Sequence, residues 1–171
     1  ALKADATVWC WGADHFGQLP DGLADQNRLT PMRITRLDGT VFLAGGQQHG
    51  CALKADGSLW CWGDNRDGQA GDGTQGGDHE TKHNPVRVVA GGNGMAAVKT
   101  MDLGAHHSCA IDVDDQAWCW GKADYGRLGN GNVNGHVSTP TRVTVVDRSA
   151  IVELRAWAEG SCIRKNDGTV W

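Results

Sequence analysis

The 171-residue chain has one tyrosine, two phenylalanines and four prolines. It has no excess of basic charge. Lys and Arg number 16 against 20 Asp and Glu, a net charge of −4, so nucleic acid is not expected as a partner. No apolar run approaches the roughly 20 residues that span a bilayer, and membrane insertion is not expected either. No Ser/His/Asp arrangement, nucleophile elbow or phosphate loop stands out. The Gly-rich stretch at 91–94 lacks the strand-to-helix context of a phosphate cradle. A non-enzyme without a cofactor is therefore expected. An initiator methionine, a signal peptide and a lipidation motif are also missing. That is expected of a chain whose leader has been removed, or of a piece of a longer chain.

The chain is rich in glycine (25), tryptophan (8) and cysteine (6), the composition of many short strands and tight turns. Residues 51–73, CALKADGSLWCWGDNRDGQAGDG, carry the clearest pattern. Cys51 and Cys61 are symmetric about Asp56, and Leu53 falls opposite Leu59. Asp-Gly between alternating apolar residues is a strong hairpin signal, because glycine supplies the positive φ that the turn needs. The symmetry places Cys51 directly across from Cys61, within disulfide reach. Trp60 and Trp62 point away from Cys61, because side chains alternate along a strand.

The hairpin recurs. Residues 109–131 repeat it, with Cys109 and Cys119 at the same spacing. A partial copy, ALKADATVWCWGADHFGQLPDG, opens the chain, and another, CIRKNDGTVW, closes it. A Pro-led strand follows each loop, at Pro31, Pro85 and Pro140. A further apolar strand precedes each new cysteine. Four short strands per repeat of about fifty residues cannot bury their own faces, whereas radial stacking of four-stranded blades can. The expected fold is an all-β β-propeller with about three blades. It forms one repeat domain over residues 1–171, with blade pieces near 1–42, 43–100, 101–153 and 154–171.

These residues resemble the repeat of the regulator of chromosome condensation family. The resemblance is carried by Gly46-Gln47-Gln48-His49-Gly50-Cys51-Ala52-Leu53, Asp56-Gly57, Leu59-Trp60-Cys61-Trp62-Gly63, Asn65 and Gly68-Gln69. His107, Cys109, Trp118-Cys119-Trp120-Gly121 and Gly126-Arg127-Leu128-Gly129 carry it again. The cysteine-bearing form is similar to bacterial secreted members. Departures are local: Asp115 stands where Gly57 does, Pro20 where Gly71 does, and the last repeat lacks the His.

Six cysteines at hairpin-opposed positions favour disulfides, Cys51–Cys61 and Cys109–Cys119. Oxidised cysteines place the protein outside the cell, at the cell surface or in the periplasm. Buried free thiols in a cytosolic propeller are the alternative. Cys10 and Cys162 lack hairpin partners within the chain. Two explanations stand: the chain is part of a longer propeller, or copies associate head to tail and link Cys10 to Cys162.

His79-Glu80-Thr81-Lys82-His83 matches H-E-x-x-H. That motif needs a helix to bring both His to one face. Here Gly76-Gly77 precede it and Asn84-Pro85 follow, so His79, Glu80 and His83 form only a weak metal candidate. Tryptophans one residue before the second cysteine (Trp9, Trp60, Trp118, Trp171) are expected between blades. Trp11, Trp62 and Trp120 are expected next to the loops and partly exposed. Trp157 lies outside the pattern. Trp157, Trp62, Trp120, His106 and His107 are the candidate contact residues, although a repeated His is more often structural.

The expected function is binding. The chain would be a rigid exported disc that presents the loops 23–29, 75–83 and 132–138 to a protein or glycan. A self-assembling filament or coat protein is the alternative. Guanine-nucleotide exchange and inhibition of a secreted enzyme are further alternatives that the resemblance implies.

Overall fold

A computed structural model describes residues 1–74, 80–89, 95–144 and 150–171. Its strands are β1 (Trp9–Gly12), β2 (Arg28–Arg33), β3 (Thr40–Gly45), β4 (His49–Lys54), β5 (Leu59–Asp64), β6 (Thr81–Arg87), β7 (Val98–Leu103), β8 (His107–Asp112), β9 (Ala117–Lys122), β10 (His136–Arg142), β11 (Ile151–Trp157) and β12 (Gly160–Lys165). They form two complete four-stranded antiparallel sheets, β3-β4-β5-β6 and β7-β8-β9-β10. Two half-sheets flank them, β1-β2 and β11-β12. The molecule is all-β and reads as about three blades of a propeller.

The strands β3, β7 and β11 each straddle a boundary drawn from the repeats, at 42/43, 100/101 and 153/154. Each pairs with the cysteine hairpin that follows it. The blade limits therefore move upstream, into the connections before these strands. A sequence repeat joins the outer half of one blade to the inner half of the next.

Hairpin register follows the symmetry of the sequence. Cys51 is paired with Cys61 and Cys109 with Cys119. Each pair is a disulfide with a Cα–Cα separation of 4.1 Å. The turn survives without its glycine. Gly57 has φ 78°, while Ala6 and Asp115 take φ 61° and 60° at equivalent positions.

Alternation along the strands decides which blade each residue meets. Cys51, Leu53, Leu59 and Cys61 face forward, onto Val98, Met101, Ala110, Trp118 and Trp120 of the next blade. Cys109, Ile111, Ala117 and Cys119 likewise face Ile151, Leu154 and Ile163. Ala52 and Trp62 face back, onto Val8, Ile34 and Leu37. Among the described residues, the core is thus a series of blade-to-blade seams.

Candidate protein-binding surface

Antiparallel order sends the turns to two opposite faces. The short turns β3–β4, β7–β8 and β11–β12 share one face with the long connections β1–β2, β5–β6 and β9–β10. This is the loop face. The tight turns after β4, β8 and β12 lie on the other.

The β1–β2 and β5–β6 loops begin with the same frame, whereas the β9–β10 loop has Ala123 and Arg127 at its key positions. The Asn65 side-chain carbonyl accepts from Ala70 N at 3.0 Å, and Asp14 does the same for Leu19 N at 2.9 Å. The Gln18 and Gln69 side chains accept from the backbone N–H two residues before them. This leaves each Gln backbone carbonyl pointing toward the next blade. Trp62 Nε1 donates to Gln18 O at 2.8 Å, and Trp120 Nε1 donates to Gln69 O at 2.9 Å. Gly71 leaves room for that ring: a Cβ there would lie 2.6 Å from Trp120 Nε1.

Trp62 and Trp120 were expected near the surface as contact residues, and the structure corrects this. Both are buried, each serving as a knob in the loop socket of the preceding blade. Trp11, the same position in β1, is 50% exposed. Trp118 is buried between blades, and Trp171 is 52% exposed.

His107 is corrected in the same way. It is fully buried, with Nε2 2.9 Å from Ser161 Oγ of the next blade. His49 meets Ser108 Oγ at 3.0 Å. Ser108 spends its O–H on Gln69 O at 2.9 Å, so its oxygen accepts from His49 Nε2–H. Burial holds both imidazoles neutral, His49 pushed down to about 3 and His107 to about 4. The Arg127 guanidinium adds to that effect for His107, and any charge on His107 would disfavour one on His49.

The missing His of the last repeat and the unpatterned Trp157 are a single exchange. Gly46 and His49 correspond to Gly104 and His107, and to Trp157 and Gly160. In the first two pairs the His ring lies over the Gly backbone, and in the third the Trp157 ring lies over Gly160. His49 and His107 reach inward, whereas Trp157 is 51% exposed on the loop face.

Around it the loop face carries mixed chemistry. Tyr125 is 80% exposed and sits in a left-handed conformation with φ 61°. The Arg127 guanidinium lies 5.7 Å from its ring centroid. Position 125 corresponds to Phe16 and Asp67, so two of the three loops carry an aromatic here and the slot varies between repeats. His106 is partly exposed, with Nδ1 3.6 Å from Asp67, an ion-pair distance rather than a hydrogen bond. His136 Nδ1 reaches the same Asp67 at 3.0 Å, and His15 Nδ1 reaches Asp25 at 2.7 Å. Sequence reasoning missed Tyr125. The signal was its place before Gly126, in a loop slot that varies between repeats.

His79 and part of the 75–83 loop lie outside the described residues. Glu80 is paired with Lys82, and His83 Nε2 meets Thr81 Oγ1 at 2.7 Å. The stretch after Glu80 is the strand β6, so the helical face that H-E-x-x-H requires does not form. Among the described residues, no group of three or more His, Cys, Asp or Glu is placed to hold a metal.

The regulator of chromosome condensation (RCC1) repeat matches residues 5–53, 56–111 and 114–156. Across its whole length the chain is 28% identical to the ultraviolet-B receptor UVR8 of Arabidopsis thaliana, covering 38% of it. It is also 29% identical to the human E3 ubiquitin-protein ligase HERC2 across its whole length, covering 4% of that protein. It therefore spans less than half of these relatives. Among solved structures it is similar to Prp20p of Saccharomyces cerevisiae, described with binding properties to Gsp1p and histones. The TM-score is 0.81 at 22% identity, over 94% of this chain and 40% of that one. Human WBSCR16 superposes with a TM-score of 0.76 at 20% identity, over 95% of this chain and 41% of the other.

Proposed function

The chain belongs to the regulator of chromosome condensation repeat family, and on that footing we propose that it is a protein-binding scaffold, non-enzymatic and exported from a bacterial cell. The observation that carries this reading is the pair Tyr125 and Trp157. Both are exposed aromatics on the loop face, and each stands at a position that another repeat fills with a polar residue or glycine. Exposed Tyr and Trp are among the side chains that dominate protein–protein binding energy. Arg127 is buried beside Tyr125, bonded to the carbonyls of Asp124 and Ala158, and props the ring rather than facing a partner.

Similarity to Prp20p, a protein described as binding other proteins, supports a protein rather than a glycan partner. Burial of Trp62 and Trp120 weakens the glycan reading further, because it removes two rings from any sugar platform. Two intrachain disulfides support an oxidising compartment. They also weigh against guanine-nucleotide exchange in a reducing cytosol.

The test is affinity capture from the culture medium and cell envelope of the source organism with three baits. These are the native chain, Tyr125→Ala/Trp157→Ala, and Val113→Ala on the opposite face. A partner held by the first and third and lost from the second is the expected result. A partner lost only from Val113→Ala, or held equally by all three, would overturn the reading.

A further inference from the structure

We propose that Asp67, His106 and His136 form a proton-operated clamp between the two complete blades. It holds the β5–β6 loop against the next blade more tightly in mildly acidic surroundings than at neutral pH. What this does to a partner rests on the loop-face reading, whereas the clamp itself does not.

The three side chains come from separate elements. Asp67 lies in the framed turn of the β5–β6 loop, His106 in the β7–β8 turn and His136 at the start of β10. His136 Nδ1 is 3.0 Å from Asp67 Oδ1, and His106 Nδ1 is 3.6 Å from Asp67 Oδ2. The loop is seated on that blade beside them. Gly73 N donates to Ser138 O at 3.0 Å, and a Cβ at Gly68 would lie 2.7 Å from Ser138 Cα.

The repeat does not require this chemistry. Where the β1–β2 loop meets the blade β3-β4-β5-β6, the same three positions hold Phe16, Gln48 and Thr81. Gln48 and His106 each precede the buried His of their blade. Thr81 and His136 each pair with the residue after the Trp-Cys-Trp-Gly run, Asp64 and Lys122. Phe16, Gln48 and Thr81 do not titrate. One carboxylate and two imidazoles therefore replace three neutral side chains together, at one seam.

Charge around the trio favours protons on it. Buried Asp64 is 4.0 Å from His106 Nδ1 and accepts from Arg66 Nε at 2.9 Å. One guanidinium thus answers one of the two carboxylates, and Asp67 is left to the imidazoles. A carboxylate only accepts, so His136 Nδ1 carries the proton of their bond. A second proton on that ring adds charge to it. His106 Nδ1 is buried and, among the described residues, has no hydrogen-bond partner. Unprotonated, its lone pair faces two carboxylates; a proton there turns repulsion into attraction. Behind His106, burial keeps His49 and His107 neutral. The Arg127 guanidinium, whose charge reaches His107, opposes the proton. Beside His136, Lys122 is paired with Asp124 at 3.3 Å. Histidine is the side chain that gains charge between neutral and mildly acidic pH. For an exported chain, the acidity of the surroundings then sets how rigidly this part of the loop face is presented, and preorganisation of that kind changes affinity.

The test is amide hydrogen exchange of the whole chain at pH 7.5 and 5.5, corrected for the intrinsic pH dependence of exchange. Protection of residues 65–74 should rise at the lower pH by about twofold to fivefold, the range of a partly exposed ion pair. Strand β9, whose exchange follows global stability, should show no rise. The His106→Gln/His136→Thr protein carries the residues of the preceding seam and should lose the effect while keeping its circular dichroism. Asp67→Asn, of nearly the same shape, should lose it too. Equal protection of residues 65–74 at both pH values, an equal rise in β9, or a rise that survives in both variants would overturn the proposal. No readout involves a partner, so failure of the clamp is distinct from failure of the loop-face reading.

Discussion

Single residues set the blade seams, and their environments give two predictions. Ala6 holds φ 61° in a turn where Gly57 serves in the neighbouring blade. A left-handed conformation costs a residue with a Cβ about 1 kcal/mol or more. Ala6→Gly is expected to stabilise the protein by roughly 1 kcal/mol, less the entropy that glycine restores to the unfolded chain, read from the urea midpoint. His49 and His107 are buried as neutral imidazoles, at about 3 and about 4 against an ordinary 6.5. The unfolded chain therefore binds more protons than the native one between these values. Stability is full above pH 6.5 and falls as pH drops toward 4, by up to about 1.4 kcal/mol per pH unit for each His. Urea titrations at pH 7.5, 6 and 5 should show that decline, and His49→Gln should reduce its slope by about half, leaving the share of His107.

Strands and hairpins were the most legible parts of the sequence. The Cys51–Cys61 symmetry gave register, turn and disulfide together, because a two-residue side-chain period leaves only one register compatible with it. Less legible was which sheet a strand joins. β3, β7 and β11 adjoin two hairpins in sequence, and only the packing of blades settles which they pair with. The burial of Trp62 and Trp120 escaped for a related reason. Strand alternation tells which face a ring points to, and not that a loop from the preceding blade covers that face. Trp157 looked anomalous because the Gly–His pair and the Trp–Gly pair are a reciprocal exchange three residues apart. The disulfides give this level its prediction. Each closes a loop with a sequence separation of 10, and loss of such a link costs about 2–4 kcal/mol. Cys51→Ser/Cys61→Ser should lower the urea midpoint accordingly. A change under ~0.5 kcal/mol would mean that the hairpin is held by its blade seams alone.

The whole molecule is a set of blades whose core lies between them, so its shape is rigid where neighbouring blades meet and variable in the long loops. On that division the proposed binding surface is the loop face, where Tyr125, Trp157 and His106 gather. Lysines report the two faces separately. Lys82 and Lys122 lie at strand ends on the loop face, whereas Lys3, Lys54 and Lys99 lie toward the opposite face. The most direct measurement is therefore lysine-directed cross-linking of the protein with its captured partner, followed by mass spectrometric mapping. Cross-links concentrated at Lys82 and Lys122 are predicted. Cross-links concentrated at Lys3, Lys54 and Lys99 would contradict the loop face as the binding surface.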